Sequence, residues 1–284
     1  MLPPVADRFI AGETAATALD HARALAADGV GAMLNRLGEH YEERAAADAD
    51  TVTYLNLLDD LEGSGLDAGI SVKPSQLGLD VCEAAFRENY RRVVEAAAAR
   101  DRFVWCDMED ASTTDATIDA FEATATAHPG TCGLCLQANL RRTREDVVRL
   151  AGLPGKIRLV KGAYDEPESI AYTERSEVDE AYRENLGLLV ADHDGGIAVG
   201  SHDPAMIEHA LDLVEESSAD LEFQMLMGVR EDAQRRLAAQ GHEVRQYVPY
   251  GPEWLDYFYR RVRERRANLL FALRAIAGSR RRTR

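Results

Sequence analysis

Two adjacent arginines, Arg260 and Arg261, stand near the end of this 284-residue chain. Tyr257, Arg260, Arg261, Glu264 and Asn268 recur at three- and four-residue spacing, which predicts one shared helix face. Paired guanidinium groups make a rigid cluster of donors suited to a carboxylate. Glu264 sits where it would pair with one arginine and hold it. A solvated Arg-rich face would show the same spacing. The aromatic residues Trp254, Tyr257, Phe258 and Tyr259 just upstream favour a packed helix instead.

A second pair of cations lies in RLVKGAY, from Arg158 to Tyr164. The segment has the apolar character of a buried strand, and a buried cation needs an anionic partner. Alternation turns Arg158 inward with Val160 and leaves Lys161 and Gly162 at the strand exit. Gly162 allows close backbone approach to a ligand. A phosphorylated or electron-accepting cofactor would satisfy both charges. An internal ion pair from Arg158 to Asp107 or Glu109 would also serve, and the residues alone leave both open.

Other chemistry is excluded or weak. No GxGxxG follows a strand, no GxxxxGK[ST] occurs, and no GxSxG elbow is present. Cys132 and Cys135 form a CxxC inside an apparent strand, where an odd offset points the thiols to opposite faces. His202 and Asp203 lack a second histidine at ligand spacing, so no metal set is predicted.

Positioning such groups requires a frame, and hydrophobic periodicity supplies one. Short apolar runs recur at 30–38, 69–76, 102–110, 130–139, 156–164, 196–202, 221–228 and 243–251. Each is apolar on both faces, as a strand in a parallel sheet should be. Helical stretches separate them, signalled by Thr114-Asp115, by Asp203-Pro204 and by Gly241. Starts are spaced by roughly the length of a βα unit. Eight units predict an α/β fold, a (βα)8 barrel of one domain over 1–284, with residues 1–29 as a helical N-terminal extension. A doubly wound open sheet is the alternative.

In such barrels the site lies at the strand C-terminal ends. The run ends carry Lys73, Gln76, Asp107, Glu109, Asp110, Gln137 and Asn139. They continue with Lys161, Tyr164, Ser201, His202, Asp203, Gln224, Tyr247 and Tyr250. A full polar ring on one rim argues for a ligand site.

Composition bounds the rest. The chain is 46% hydrophobic and 29% charged, which excludes disorder and low complexity. Four Cys are too few for a disulfide framework, and the N-terminus lacks a signal-peptide pattern. No apolar run nears the roughly 18 residues of a membrane span. A cytoplasmic protein is expected. The net charge is -16, and Lys73, Lys156 and Lys161 are the only lysines. Such a surface suits high salt, where self-repulsion is screened. It does not suit nucleic acid. From Arg260 to Arg284 ten Arg face one acid, a net +9, which leaves -25 for the residues before. That tail is a weak candidate for peripheral membrane docking, and a solvated end is the plainer expectation.

The strings SVKPSQLG, DMED, LCLQANL, RLVKGAY, SHDP, FQMLMGV and YVPYGPEWLDYFYRR occur in this order. Together they resemble the proline dehydrogenase family, from about Asp7 to Ala277. The resemblance implies a flavoenzyme with a distorted (βα)8 barrel that holds FAD without a Rossmann motif. It implies oxidation of L-proline to 1-pyrroline-5-carboxylate by hydride transfer to FAD, the first step of proline catabolism to glutamate. Electrons would pass to a membrane quinone, which allows a peripheral contact at the inner face of the membrane. Arg260 and Arg261 match the pair that grips the proline carboxylate. Glu264 matches the acid that orients them and is counted with the cofactor set. Lys73 matches a substrate-contacting lysine and Tyr247 the aromatic over the proline ring. Asp107 and Arg158 match residues treated as catalytic. Met108, Gln137, Lys161, Gly162, Ala163, Ser201, His202 and Gln224 match FAD contacts, and Tyr164 an aromatic near flavin and substrate. Ser201 stands where the family usually has Thr, and Arg265-Arg266-Ala267 is unusually basic. No aldehyde dehydrogenase domain is present in the chain, so a separate pyrroline-5-carboxylate dehydrogenase is expected downstream. Two alternatives remain at this point. One is a metal-dependent barrel lyase or hydrolase using His202, Asp203 and Glu109. The other is a non-catalytic flavin-binding barrel.

Overall fold

A computed structural model describes residues 6–217, 219–255 and 257. Eight parallel strands close into a barrel in sequential order. They are β1 (Gly31–Arg36), β2 (Ala68–Val72), β3 (Val104–Cys106), β4 (Cys132–Gln137), β5 (Lys156–Val160), β6 (Ile197–Gly200), β7 (Leu221–Leu226) and β8 (Glu243–Tyr250). Seven lie inside the predicted runs, and β2 begins one residue before its run. β8 closes on β1 with Gly31 opposite Arg245 and Arg36 opposite Tyr250. The open-sheet alternative is thereby set aside.

The helices are α1 (Ala15–Ala27), α2 (Arg44–Ser64), α3 (Glu83–Ala98), α4 (Thr114–Ala127), α5 (Thr143–Leu150), α6 (Arg175–Asp192), α7 (Pro204–Glu216) and α8 (Glu231–Ala239). Local chemistry starts several of them. Thr14 accepts from the Thr17 amide at the head of α1, in a reciprocal capping box. Asp203 accepts from the Ala205 amide at 3.0 Å, with Pro204 at the first turn of α7.

The core lies between the outer strand faces and the helices. Ile70, Val72, Val104, Leu134, Ile157 and Leu159 pack there against Leu57, Leu61, Phe86, Tyr90, Phe121 and Leu186. Each such side chain contributes about 1.5–3 kcal/mol when removed from water. Inside the barrel a smaller apolar plug forms from Met33, Trp105 and Ala198, with Tyr247 against it. Gly133 makes room for that indole, since a Cβ there would come within 2.6 Å of Trp105.

The barrel departs from the regular plan at its seam. α1 packs on β1 and β8, with Ala18, Leu19 and Ala22 buried and His21 Nε2 2.7 Å from Gln246 Oε1. It covers the flank of this seam. Beyond β8, Tyr257 packs against Ala6, Phe9, Ile10 and Leu37.

Candidate active site at the strand C-terminal ends

A cavity of about 770 Å³ opens at the strand C-terminal ends. Lys73, Asp107, Met108, Gln137, Arg158, Lys161, Gly162, Ala163, Tyr164, Ser201, His202, Gln224 and Tyr247 all line it. Arg260, Arg261 and Glu264 lie outside the described residues. Tyr257, three residues before Arg260 in the chain, lines the same cavity.

Asp107 is its polar centre. Its carboxylate accepts from Ser71 Oγ at 2.7 Å, from the Tyr247 hydroxyl at 2.8 Å and from Arg158 Nη2. The ion pair that the sequence left open for Arg158 is therefore made, with Asp107 as the partner. β2, β5 and β8 each turn one of these side chains inward and Asp107 directly follows β3, so only barrel closure brings them together. Arg158 also lies over Trp105, 4.9 Å from the ring centroid. Its own burial disfavours the charge, but its neighbours, Asp107 among them, outweigh that and raise it above the ordinary guanidinium value. Burial and the nearby Asp107 push the Tyr247 hydroxyl well above the usual phenol range, so it stays a donor.

A second charged group edges the cavity. Lys161 Nζ donates to Asp203 at 2.7 Å and to Asp179 on α6. Arg175 reaches Asp203 as well, at 3.0 Å. Burial works to raise the Asp203 carboxyl, yet Lys161, the Ala205 amide and Arg175 hold it below its ordinary value. Across the mouth Lys73 pairs with Glu39 at 2.5 Å.

Backbone and amide contacts set the remaining walls. Gln137 donates from Nε2 to the Glu109 carbonyl at 2.7 Å and accepts from the Ala163 amide at 3.3 Å. That clasp fixes the turn after β5, where Gly162 has φ 119° and lies against Asn139. A Cβ at Gly162 would fall 2.0 Å from Asn139 Oδ1, so only glycine fits. His202 Nε2 accepts from the Leu226 amide at 2.8 Å. The Ser201 hydroxyl accepts from the Asp203 amide at 3.2 Å.

Part of the predicted rim ring lies away from the cavity. Gln76 is buried away from the cavity, donating to Asp50 at 2.7 Å and accepting from Tyr54 at 3.0 Å. Asp110 accepts from the Ser112 amide at 2.9 Å and caps the short turn Ala111–Thr113. Asn139 supports Gly162 from beneath, and Tyr250 belongs to the main core. Met33 and Asn35 of β1, with Leu37 just beyond it, also line the cavity at alternate positions, outside the predicted ring. That period was visible in the sequence. Asp179 and Arg175 on α6 had no such signal, because they reach the cavity from a helix far along the chain.

The residues named for a metal do not converge. His202 is committed to Leu226, Asp203 to Lys161 and Arg175, and Glu109 accepts from the Ser75 amide and hydroxyl, both at 2.7 Å. Cys132 packs outward near Thr124, its thiol pushed up to about 11 by burial, while Cys135 lines the cavity. The CxxC thiols thus point to opposite faces.

A family model for proline dehydrogenase matches residues 18–274. The chain belongs to the proline dehydrogenase family. It is 33% identical over 276 residues to proline dehydrogenase 1 of Bacillus subtilis subsp. natto, covering 95% of this chain and 90% of that one. It is 33% identical over 285 residues to proline dehydrogenase of Deinococcus radiodurans, covering 96% and 90%. Its fold is shared with proline utilization A of Bdellovibrio bacteriovorus, at TM-score 0.83 and 24% identity. That likeness covers 90% of this chain, which spans 32% of the larger protein. Family membership fits the barrel described above and favours neither the metal-dependent nor the non-catalytic alternative.

Proposed function

We propose that this chain oxidises L-proline to 1-pyrroline-5-carboxylate with FAD as its cofactor, the first step of proline catabolism to glutamate. The observation that carries this reading is the convergence of Arg158, Tyr247 and Ser71 on Asp107 at the barrel mouth of a family member. The cavity suits a flavin in size and in chemistry. Its volume of about 770 Å³ is in the range of cofactor sites. Its cationic side chains, Arg158 and Lys161, match an anionic or electron-rich ligand. Met108, Gln137, Lys161, Gly162, Ala163, Tyr164, Ser201, His202, Gln224 and Glu264 would hold it. When bound, FAD supplies the acceptor for the hydride that leaves the substrate.

The chain's own residues do the rest. Arg260 and Arg261 would grip the proline carboxylate, and Lys73 would add a third positive charge near it. Tyr247, tied to Asp107, has one ring orientation and so offers a fixed wall to the substrate ring. Full orientation of reactants can remove about 7–11 kcal/mol of a barrier, and a fixed wall contributes part of that. Met33, Leu37 and Leu226 exclude water from the cavity floor and wall. Arg158 and Lys161 place positive charge where added electron density needs it.

The wider reading follows the same line. The chain acts as one domain, with residues 1–29 as its extension. A quinone takes the electrons, and a separate pyrroline-5-carboxylate dehydrogenase takes the product. No helix among the described residues is long and apolar enough to cross a membrane. A cytoplasmic protein would then meet a membrane quinone by peripheral contact, for which the Arg-rich end is the candidate.

The test is a visible spectrum of purified protein before and after anaerobic L-proline. A flavin band that bleaches supports cofactor, substrate and electron transfer together. A colourless protein that takes up no FAD overturns the cofactor, and a persistent band overturns the substrate.

A further inference from the structure

The barrel interior holds a column of charge beneath the site. β7 turns Glu222 and Gln224 inward at alternate positions. Glu222 is 2% exposed, an unusual depth for a carboxylate. Its Oε2 accepts from Lys156 Nζ at 2.9 Å and from Arg245 Nε at 3.4 Å. Its Oε1 accepts from Gln224 Nε2. Gln224 Oε1 in turn accepts from Arg158 Nη1 at 3.1 Å. Arg158 uses its other terminal nitrogen on Asp107. One continuous chain of contacts therefore joins the barrel base to the centre of the cavity.

We propose that Glu222 is a positioning residue for Arg158 and acts on it through Gln224. Donor and acceptor types dictate the arrangement. An ionised carboxylate only accepts and a guanidinium only donates. Between them the Gln224 amide has one permitted orientation, nitrogen to Glu222 and oxygen to Arg158. Burial pushes the Glu222 carboxyl up, but Lys156 and Arg245 outweigh it and hold it below its ordinary value. Glu222 is thus an anion throughout the neutral range and keeps the amide locked. In Glu222→Gln the single amide oxygen is claimed by Lys156 and Arg245, its nitrogen faces the Gln224 nitrogen, donor against donor, and Gln224 turns away from Arg158. Arg158 then keeps Asp107 and the Trp105 ring but loses its contact to Gln224, and it gains freedom at the site.

The functional consequence rests on the proline-oxidising reading above, and the experiment separates the two. Glu222→Gln, Gln224→Leu and their combination are prepared as FAD-loaded proteins, with thermal unfolding as a control for folding. The Gln224 side-chain amide signal in a nitrogen-proton spectrum is assigned by its loss in Gln224→Leu. In Glu222→Gln that signal shifts and exchanges faster with solvent. Glu222→Gln lowers kcat/KM for proline about tenfold, the scale of one charge-assisted hydrogen bond, chiefly through kcat. Added to Gln224→Leu it changes kcat/KM by less than about twofold, because the route is already cut. An unmoved amide signal overturns the proposal, as does a kcat/KM near that of the wild type. A loss that multiplies with Gln224→Leu shows a structural role only and overturns it too. If Glu222→Gln does not fold, Glu222→Met with Lys156→Met removes both charges together, and the same outcomes decide. A wild-type protein that proline does not bleach overturns the catalytic reading, while the amide signal still reports on Glu222.

Discussion

Asp107 is one carboxylate shared by three donors, and each donor depends on it differently. Arg158 is buried and charged, so loss of its partner leaves an uncompensated cation. Asp107→Ala should lower stability by about 3–5 kcal/mol, measured by denaturant unfolding. A change within the error of the wild type would show that solvent replaces the pair. The same variant should lose proline-dependent bleaching, because Tyr247 and Arg158 no longer share an anchor. Arg260 belongs to the substrate end. Arg260→Met should raise KM for proline at least about tenfold in steady-state kinetics, through loss of a charge-assisted contact to the carboxylate. An unchanged KM would remove Arg260 from substrate binding.

The turn after β5 and the start of α7 form one unit at the scale of elements. Asp203 caps α7, accepts from Lys161 and meets Arg175, so it ties the cavity edge to two helices. Its carboxyl is held below the ordinary 3.8. A depressed carboxyl adds stability that is present above the unfolded value and lost as pH falls through the folded value. Asp203→Asn keeps a capping oxygen and removes the charge. It should cost about 1–2 kcal/mol near neutral pH, and the gap to the wild type should close as pH falls below about 4. Unfolding curves at several pH values check this, and a gap that is constant with pH would mean the charge contributes nothing.

Charge dominates at the scale of the whole molecule. The described surface carries many Arg–carboxylate pairs, such as Arg149 with Asp119 and Glu122, each at 2.7 Å. Exposed pairs of this kind contribute about 0–1 kcal/mol each, and salt weakens them. The net charge of -16 acts against compactness everywhere, and salt weakens that repulsion too. Between about 0.1 M and 1 M salt the screening length falls from about 10 Å to 3 Å. Repulsion summed over an excess of acids should then outweigh the lost pairs, and the melting temperature should rise across that range. A fall would show that the surface pairs matter more than the net charge.

Much of this protein is written locally in its chain. Short runs apolar on both faces specify eight strands, capping residues such as Asp203 start helices, and the resemblance that names the family rests on short strings. These are signals between neighbours in sequence, set by backbone geometry and by the hydrophobic effect. The partners across the barrel are of another kind. Asp107 and Arg158 lie 51 residues apart, and Tyr247 lies 140 residues beyond Asp107. Which of them meet depends on strand tilt and on the register at which β8 closes on β1. The sequence offered Arg158 a choice of anions, and it placed Gln76 and Tyr250 on the rim when packing buries them elsewhere. Run ends mark where a strand stops, whereas the direction a side chain takes beyond that point is set by the helix packed over it. The amino-acid order alone therefore determined the barrel, the family and most of the cavity lining. Only the tertiary structure decided that Asp107 is the hub, that β1 and α6 share the cavity, and that Glu222 lies in line beneath Arg158.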